Sequence, residues 1–308
     1  MIGEIAWIDG SIVPRGTLAL PVGDAGFVLG ATVTEQLRTF RGALFLADEH
    51  ARRLADSLIA VGIEPPMPVG DILRAAADVA AHNHRLGADG GDLGVVAFIT
   101  PGDLPAQHGG RAGAARAVVH SFPLAFPLWA AGYDAGVSLR TVSVRQVPEA
   151  CWPIRVKTRS RLHYFLADRE AAAAEPGARA VLAHADGRIS ETSTANVAIV
   201  RDGTILAPPA TDALAGISLG FAQRLAAGLG VGWHEASLTA ADLAAADEIL
   251  LTSTPSCILP ATRFDGGAVG SGRPGPVFRS ILDAWSFAVG LDIRDQAVAD
   301  SASRHDRA

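Results

Sequence analysis

The run Phe122 to Trp129, with prolines at Pro123 and Pro127, interrupts a chain of 308 residues that otherwise alternates short β-like and helix-like apolar segments. Proline cannot donate to a sheet ladder or sit inside a helix, so such a run separates two folded regions rather than continuing either. The length accommodates two medium domains. The pattern predicts a small N-terminal α/β domain over 1–121, a linker over 122–133, a larger C-terminal domain over 134–294 and a flexible polar tail over 295–308.

Within the first half, Ile5 and Trp7, the Asp9-Gly10 turn, then Ile12 and Val13 read as a β-hairpin. A second strand pair flanks Arg41-Gly42, from Val33 to Phe40 and from Ala43 to Leu46. Asp48 stands where a helix N-cap would, followed by Leu54, Leu58, Ile59 and Val61 at helical spacing up to Gly62. Residues 71–86 read as another amphipathic helix, and Val95 to Thr100 and Arg116 to Ser121 as strands. The Gly-rich segment 101–115 between those strands reads as a movable loop. Downstream, strands at 137–145, 179–184, 195–200, 203–206 and 248–252 interleave with helices near 158–174, 217–229, 239–245 and 275–289. That mixture fits a second α/β domain, with a site at the seam.

Composition narrows the function. With 49% hydrophobic residues the chain can build a substantial core, and a net charge of −6 with no basic run leaves no footprint for nucleic acid or an anionic membrane. Cys151 and Cys257 stand far apart without metal or redox spacing, which reads as two small buried hydrophobes in a reducing compartment. The first ten residues carry acids where a secretory signal needs a basic start, and no apolar stretch is long enough to span a bilayer; a cytoplasmic address is expected. His82 and His84, two apart on a helix, do not share a face, so no metal site is expected. Gly90-Gly91 lacks the strand-glycine-helix context of a nucleotide loop.

The basic residues hold the strongest chemical signal. Of 26 lysines and arginines, Lys157 is the single lysine. An ε-amine can lose its proton and attack a carbonyl; a guanidinium cannot. Lys157 lies in Pro153-Ile154-Arg155-Val156-Lys157-Thr158, a strand-like stretch expected to run straight into the next helix. A rigid, partly desolvated position of that kind suits a nucleophile and base.

Around it, several motifs occur in register: Asp24-Ala25-Gly26-Phe27-Val28-Leu29-Gly30, Glu35, Glu49-His50-Ala51-Arg52-Arg53-Leu54, Ala167-Asp168-Arg169-Glu170-Ala171, Glu191 to Asn196, Gly216-Ile217-Ser218 and Thr252-Ser253-Thr254. Together with Lys157 they resemble the class IV aminotransferases, the fold-type IV pyridoxal-phosphate enzymes, from about residue 4 to about 290. The resemblance implies an α+β chain of two domains, the larger barrel-like, with pyridoxal 5'-phosphate at the seam. It implies Lys157 as Schiff-base lysine and proton shuttle, Glu191 pairing with the pyridine nitrogen, and Arg53 at the end of the first helix binding phosphate. Arg52 beside it is read as solvated. Gly216, Ile217 and Ser218 at a helix start, with Ser253 and Thr254, would complete the cofactor site. Thr34, Gln36 and Arg38, which share one strand face, and Ser256 would meet the substrate. Arg38 would take a substrate carboxylate, which makes glutamate and 2-oxoglutarate a reasonable pair, or else be solvated.

Departures matter too. Pro101 stands where D-amino-acid enzymes carry a carboxylate-clamping arginine, and Pro255 removes a backbone N–H that branched-chain enzymes offer. Arg161-Leu162 replaces the Asn-Tyr pair of many members, which leaves aminodeoxychorismate lyase as an alternative. The expected activity is ping-pong transamination between an amino acid or amine and a 2-oxo acid, in a homodimer; a non-catalytic relative keeping the fold is the third reading.

Overall fold

Alternation around Asp9-Gly10 produces the first hairpin: β1 (Ile5–Ile8) pairs antiparallel with β2 (Ser11–Pro14) in this computed structural model, which describes residues 3–87 and 91–305. Asp9 and Gly10 both take positive φ, 47° and 89°, as a tight hairpin turn requires. Gly90, one of the pair read as a loop, lies outside the described residues.

The chain forms two compact units, Met1–Leu124 with Val156–Ser160, and Ala125–Arg155 with Arg161–Ala308. The first contains α1 (Ala25–Val28), β3 (Val33–Phe40), β4 (Ala43–Leu44), α2 (Ala47–Val61), α3 (Val69–Leu86), β5 (Leu93–Thr100) and β6 (Arg116–Pro123). Its six strands lie in the order β2-β1-β6-β5-β3-β4. Helices α2 and α3 bury Leu54, Leu58, Ile72, Ala76, Val79 and Ala80, one helical face each, against Leu37, Val95, Ala97 and Val119 of the sheet. Asn83 on α3 extends that face with polar contacts: it bonds both Ile5 N and Ile5 O and the Ser121 hydroxyl.

Several local expectations change here. Helix α2 starts at Ala47 after Leu46, which is left-handed (φ 53°), so Asp48 sits in the first turn instead of capping it; Gly62 does end the helix. Ile59 is largely exposed. The stretch around Lys157 is not a strand. Thr158 forms an isolated bridge with Val33, Val156 joins the first unit's core, and the next helix starts only at Leu162. Residues 156–160, inside the span expected for the C-terminal domain, therefore pack with the first unit. The Gly-rich loop is tied down: Arg116 pairs with Asp24 and with Asp103, both at 2.7 Å, and Asp24 and Asp103 form a β-bridge.

The second unit comprises α4 (Gly132–Ala135), β7 (Val137–Arg145), α5 (Leu162–Ala174), β8 (Arg179–Ala183), β9 (Ile189–Thr192), β10 (Asn196–Arg201), β11 (Thr204–Ala207), α6 (Ile217–Gly228), β12 (Trp233–Glu235), α7 (Ala240–Ala244), β13 (Glu248–Ser253), β14 (Cys257–Phe264), β15 (Gly267–Ala268), α8 (Pro276–Val289) and α9 (Ile293–His305). Strands pair in the order β12-β11-β10-β13-β14-β7-β8-β9, and β9 returns to β10 through Glu191 opposite Asn196. That last pairing closes β10-β13-β14-β7-β8-β9 into a barrel-like ring. Helix α5 covers β7 and β8 through Ala167 and Ala171 against Val142, Ala180 and Leu182.

Residues 122–133 are more ordered than a plain linker: they hold the end of β6, a tight turn at Phe126–Leu128 and the start of α4. The polar segment expected as a flexible tail forms α9, with Ile293 and Ala297 fully buried and Arg294 clasping Asp134 through two bonds. Cys257 is buried as expected, whereas Cys151 is exposed. Among the described residues no helix is long and apolar enough to cross a membrane, and no His, Cys, Asp and Glu group could hold a metal.

Candidate active site

The first unit places its functional side chains between β3 and α2. Alternation sends Glu35 and Leu37 from β3 toward the helices, and Glu35 is completely buried there. Arg53 donates Nε to Glu35 Oε1 and Nη2 to Oε2, both at 2.7 Å, while His50 Nδ1 lies 2.6 Å from Oε2. Arg53 is thus at the middle of α2, not at its end, one turn beyond His50. Burial raises the Glu35 carboxyl, but the adjacent guanidinium and imidazole outweigh it and bring it down to about 2. Burial lowers His50, against the pull of Glu35, with Arg53 and Lys157 adding to the lowering.

Lys157 is half-buried and fixed along its backbone. Its carbonyl accepts from Thr34 N at 3.0 Å and its N–H reaches the Ser57 hydroxyl at 3.4 Å, so both β3 and α2 hold it; Arg159 N–H then donates to Thr32 O. The bridge to Val33 therefore does the work expected of a strand end. On the other face of β3, Thr34 is buried with its hydroxyl on Ala97 O, and Gln36 is half-buried. Arg38 is neither exposed nor solvated: it is fully buried, donates Nε to Thr39 O and lies over the Phe40 ring at 3.9 Å. Arg52 is exposed, as expected.

In the second unit, Glu191 sits at the barrel's closing pair. Its Oε1 accepts from the Tyr164 hydroxyl at 2.6 Å; Oε2 accepts from Asn196 Nδ2 at 3.2 Å and from Leu214 N at 3.3 Å. Asn196 Nδ2 also donates to Leu214 O, which draws the segment before α6 against the strand pair. Gly216 is required at that approach, because a Cβ there would collide with the Asn196 side-chain oxygen.

Two helix starts in this unit contrast. Helix α8 follows Gly275, and the Glu248 carboxylate accepts from its first N–H groups, Val277 and Phe278, each at 2.9 Å. Helix α6 follows Gly216, and among the described residues no side chain caps it and no acid occupies its first turn. A helix start carries partial positive charge and outward N–H donors, and at α8 the Glu248 carboxylate meets them from within. At the β13–β14 turn, Ser253 and Ser256 hydroxyls lie 2.8 Å apart, and Ser256 O accepts from Tyr133.

Residues 32–264 match the family Amino-transferase class IV. This chain is a class IV aminotransferase. It is 29% identical over 90% of its length to a D-alanine aminotransferase of Bacillus licheniformis, 94% of which is covered. Similarity to the branched-chain-amino-acid aminotransferase of Escherichia coli is 26% over 92% of each chain. A crystal structure of the Escherichia coli branched-chain enzyme superposes with a TM-score of 0.85, covering 92% of this chain and 93% of that one at 26% identity. A T.th. branched-chain amino acid aminotransferase solved with pyridoxamine 5'-phosphate matches with a TM-score of 0.81 at 25% identity, over 94% and 95% of the chains.

Within each unit of the aminotransferase, the residues read from sequence fall together: Lys157 beside the Glu35–His50–Arg53 cluster, and Glu191 beside the start of α6. Ser253, Thr254 and Ser256 form their own turn. Sequence reasoning missed three participants. His50 and Asn196 lay inside the quoted motifs without roles. Tyr164 was hidden behind the departure at Arg161-Leu162, where relatives carry Asn-Tyr; Leu162 is 69% exposed, while the phenol two residues on turns to Glu191.

Proposed function

We propose that this aminotransferase uses pyridoxal 5'-phosphate, held through Lys157, to move an amino group from D-alanine or a branched-chain amino acid to a 2-oxo acid in a ping-pong cycle. The observation that carries the reading is the lone lysine held rigidly by β3 and α2. The donor set fits the cofactor chemically: a held amine, an oriented carboxylate, a forked guanidinium and an uncapped helix start.

When bound, the cofactor's ring accepts the electron pair left on the substrate's α-carbon. Lys157 carries the cofactor between turnovers and, once released, takes and returns the α-proton. Glu191 keeps a proton on the ring nitrogen by holding negative charge beside it. The class IV resemblance assigns phosphate binding to Arg53, aligned by Glu35, in the first unit and to the Ile217 and Ser218 N–H groups with the Ser253 and Thr254 hydroxyls in the second. It assigns substrate contact to Thr34 and Gln36 of the first and Ser256 of the second. Arg38, buried against Phe40, lends no support to a side-chain carboxylate, so the donor classes named for the relatives take precedence over glutamate. Pro101 removes the clamping arginine of the D-amino-acid enzymes and Pro255 the backbone N–H of the branched-chain ones, so the two departures keep both donor classes in the proposal.

A homodimer is part of this reading, supported by the exposure of Phe27 and Leu29 at α1. A cytoplasmic address is another part, supported by the two free cysteines. Arg161-Leu162 keeps a second reading, release of pyruvate from aminodeoxychorismate. The test is the visible spectrum of the holoenzyme on adding L-leucine, L-valine, D-alanine or R-phenylethylamine singly. Bleaching by one donor, reversed by a 2-oxo acid, is expected; pyruvate released from aminodeoxychorismate without an acceptor would replace transamination with the lyase.

A further inference from the structure

We propose that Tyr164 is a positioning residue that tunes Glu191, keeping the carboxylate a weak base so that the proton it shares with the cofactor stays on the ring nitrogen. This rests on the reading of Glu191 as the ring-nitrogen carboxylate. All the side chains involved belong to the second unit.

The direction of the Tyr164 hydrogen follows from its neighbours. Val147 N–H can only donate, and it meets Gln146 Oε1 at 2.9 Å, which fixes the orientation of that amide. Gln146 Nε2 then donates twice, to Ser190 Oγ at 3.0 Å and to Tyr164 Oη at 3.1 Å. The phenol oxygen has received a hydrogen, so its own points to Glu191 Oε1, 2.6 Å away. Burial, and then the Glu191 charge, push the phenol well above its ordinary value, and it stays a donor throughout the working pH range. The ring is held from the other side by Arg161, whose guanidinium lies 4.6 Å from the ring centre and is itself anchored on Ser193 O.

A short hydrogen bond to a carboxylate favours its ionised form and lowers its basicity. Asn196 and Leu214 N act in the same sense on Oε2, but more distantly. Of the three, Tyr164 makes the shortest bond to Glu191, and it comes from the first turn of α5, at a place where the family's usual tyrosine position holds an exposed leucine.

The experiment uses holoenzyme loaded with pyridoxal phosphate labelled with nitrogen-15 in the ring. Tyr164→Phe is expected to move the ring-nitrogen NMR signal toward the unprotonated position and to lower kcat about tenfold with KM little changed. Gln146→Met, which frees the phenol to turn, moves the signal the same way by less and serves as the second variant if Tyr164→Phe folds poorly. Coincident signals for these variants and the unaltered enzyme would overturn the inference. Glu191→Gln separates the two levels: if it shifts the signal while the Tyr164 and Gln146 variants do not, only the role of Tyr164 falls. If Glu191→Gln shifts nothing either, the reading of Glu191 falls with it.

Discussion

Two buried carboxylates, one in each unit, are held in opposite ways. Glu35 is gripped by a guanidinium fork and an imidazole, so its charge is matched by a cation on the facing helix. Glu191 is held by a phenol, an amide and a backbone N–H, neutral donors that orient and stabilise an anion without cancelling it. The difference teaches a division of labour. Glu35 uses its charge to fix Arg53 in place, whereas the donors around Glu191 preserve its charge and aim it.

The comparison predicts that stability and catalysis separate. Arg53→Ala leaves Glu35 buried beside His50 alone, a loss of about 3–5 kcal/mol. In calorimetry that lowers the melting temperature by at least about 6 °C. Glu191→Gln keeps the volume but turns an NH2 toward one of those donors, a loss of about 1 kcal/mol that moves melting by roughly 2–4 °C, yet it cuts transamination on the order of 10²-fold while cofactor still binds. If Glu191→Gln melts as early as Arg53→Ala, the two carboxylates do the same structural job and the contrast fails.

Acid sharpens the same contrast. Glu35 is depressed from 4.5 to about 2, and His50 is depressed from 6.5, so the fold binds fewer protons at both than the unfolded chain. Their stabilisation is full above about pH 6.5, begins to fall as the unfolded His50 takes up its proton, and falls again from about pH 4.5 toward 2 as Glu35 is forced to protonate. Glu35 alone accounts for on the order of 3 kcal/mol over that lower window. A melting temperature flat from about pH 7 to about pH 3 would contradict this.

The smallest effect concerns the approach of α6 to the Glu191–Asn196 pair. Gly216→Ala pushes the Asn196 amide away and is expected to weaken pyridoxal phosphate binding about five- to tenfold, near 1 kcal/mol. Gly220→Ala, one turn into the same helix with nothing near its Cβ, leaves binding unchanged and stabilises by up to about 1 kcal/mol. Equal effects at the two glycines, read by equilibrium titration, would remove α6 from the phosphate site.

What the sequence showed, and what it hid, follows the range of the interactions. The Asp9-Gly10 hairpin, the stop at Gly62 and the glycine start of α6 are local and were legible from turn and cap chemistry. Helix α9 was not, because its buried face consists of little more than Ile293 and Ala297, and its anchor is a salt bridge from Arg294 to Asp134, 160 positions away. The Lys157 segment looked like a strand because apolar Val156 plugs the first unit's core, yet its register is set by a single bridge from Thr158 to Val33. Glu35 and Arg53 were visible singly, but their pairing across 18 positions was not. Tyr164 and Glu191 meet across 27, through a helix and a strand whose contact no periodicity encodes.

The claim on which all of this turns is that Lys157 carries the cofactor, and its being the single lysine makes the test unusually clean. Holoenzyme reduced with borohydride, digested and mapped by mass spectrometry should show the phosphopyridoxyl group on the peptide containing Lys157, and Lys157→Ala should show none while keeping its fold. No adduct on the unaltered enzyme, or one confined to the N-terminal amine, would contradict the account.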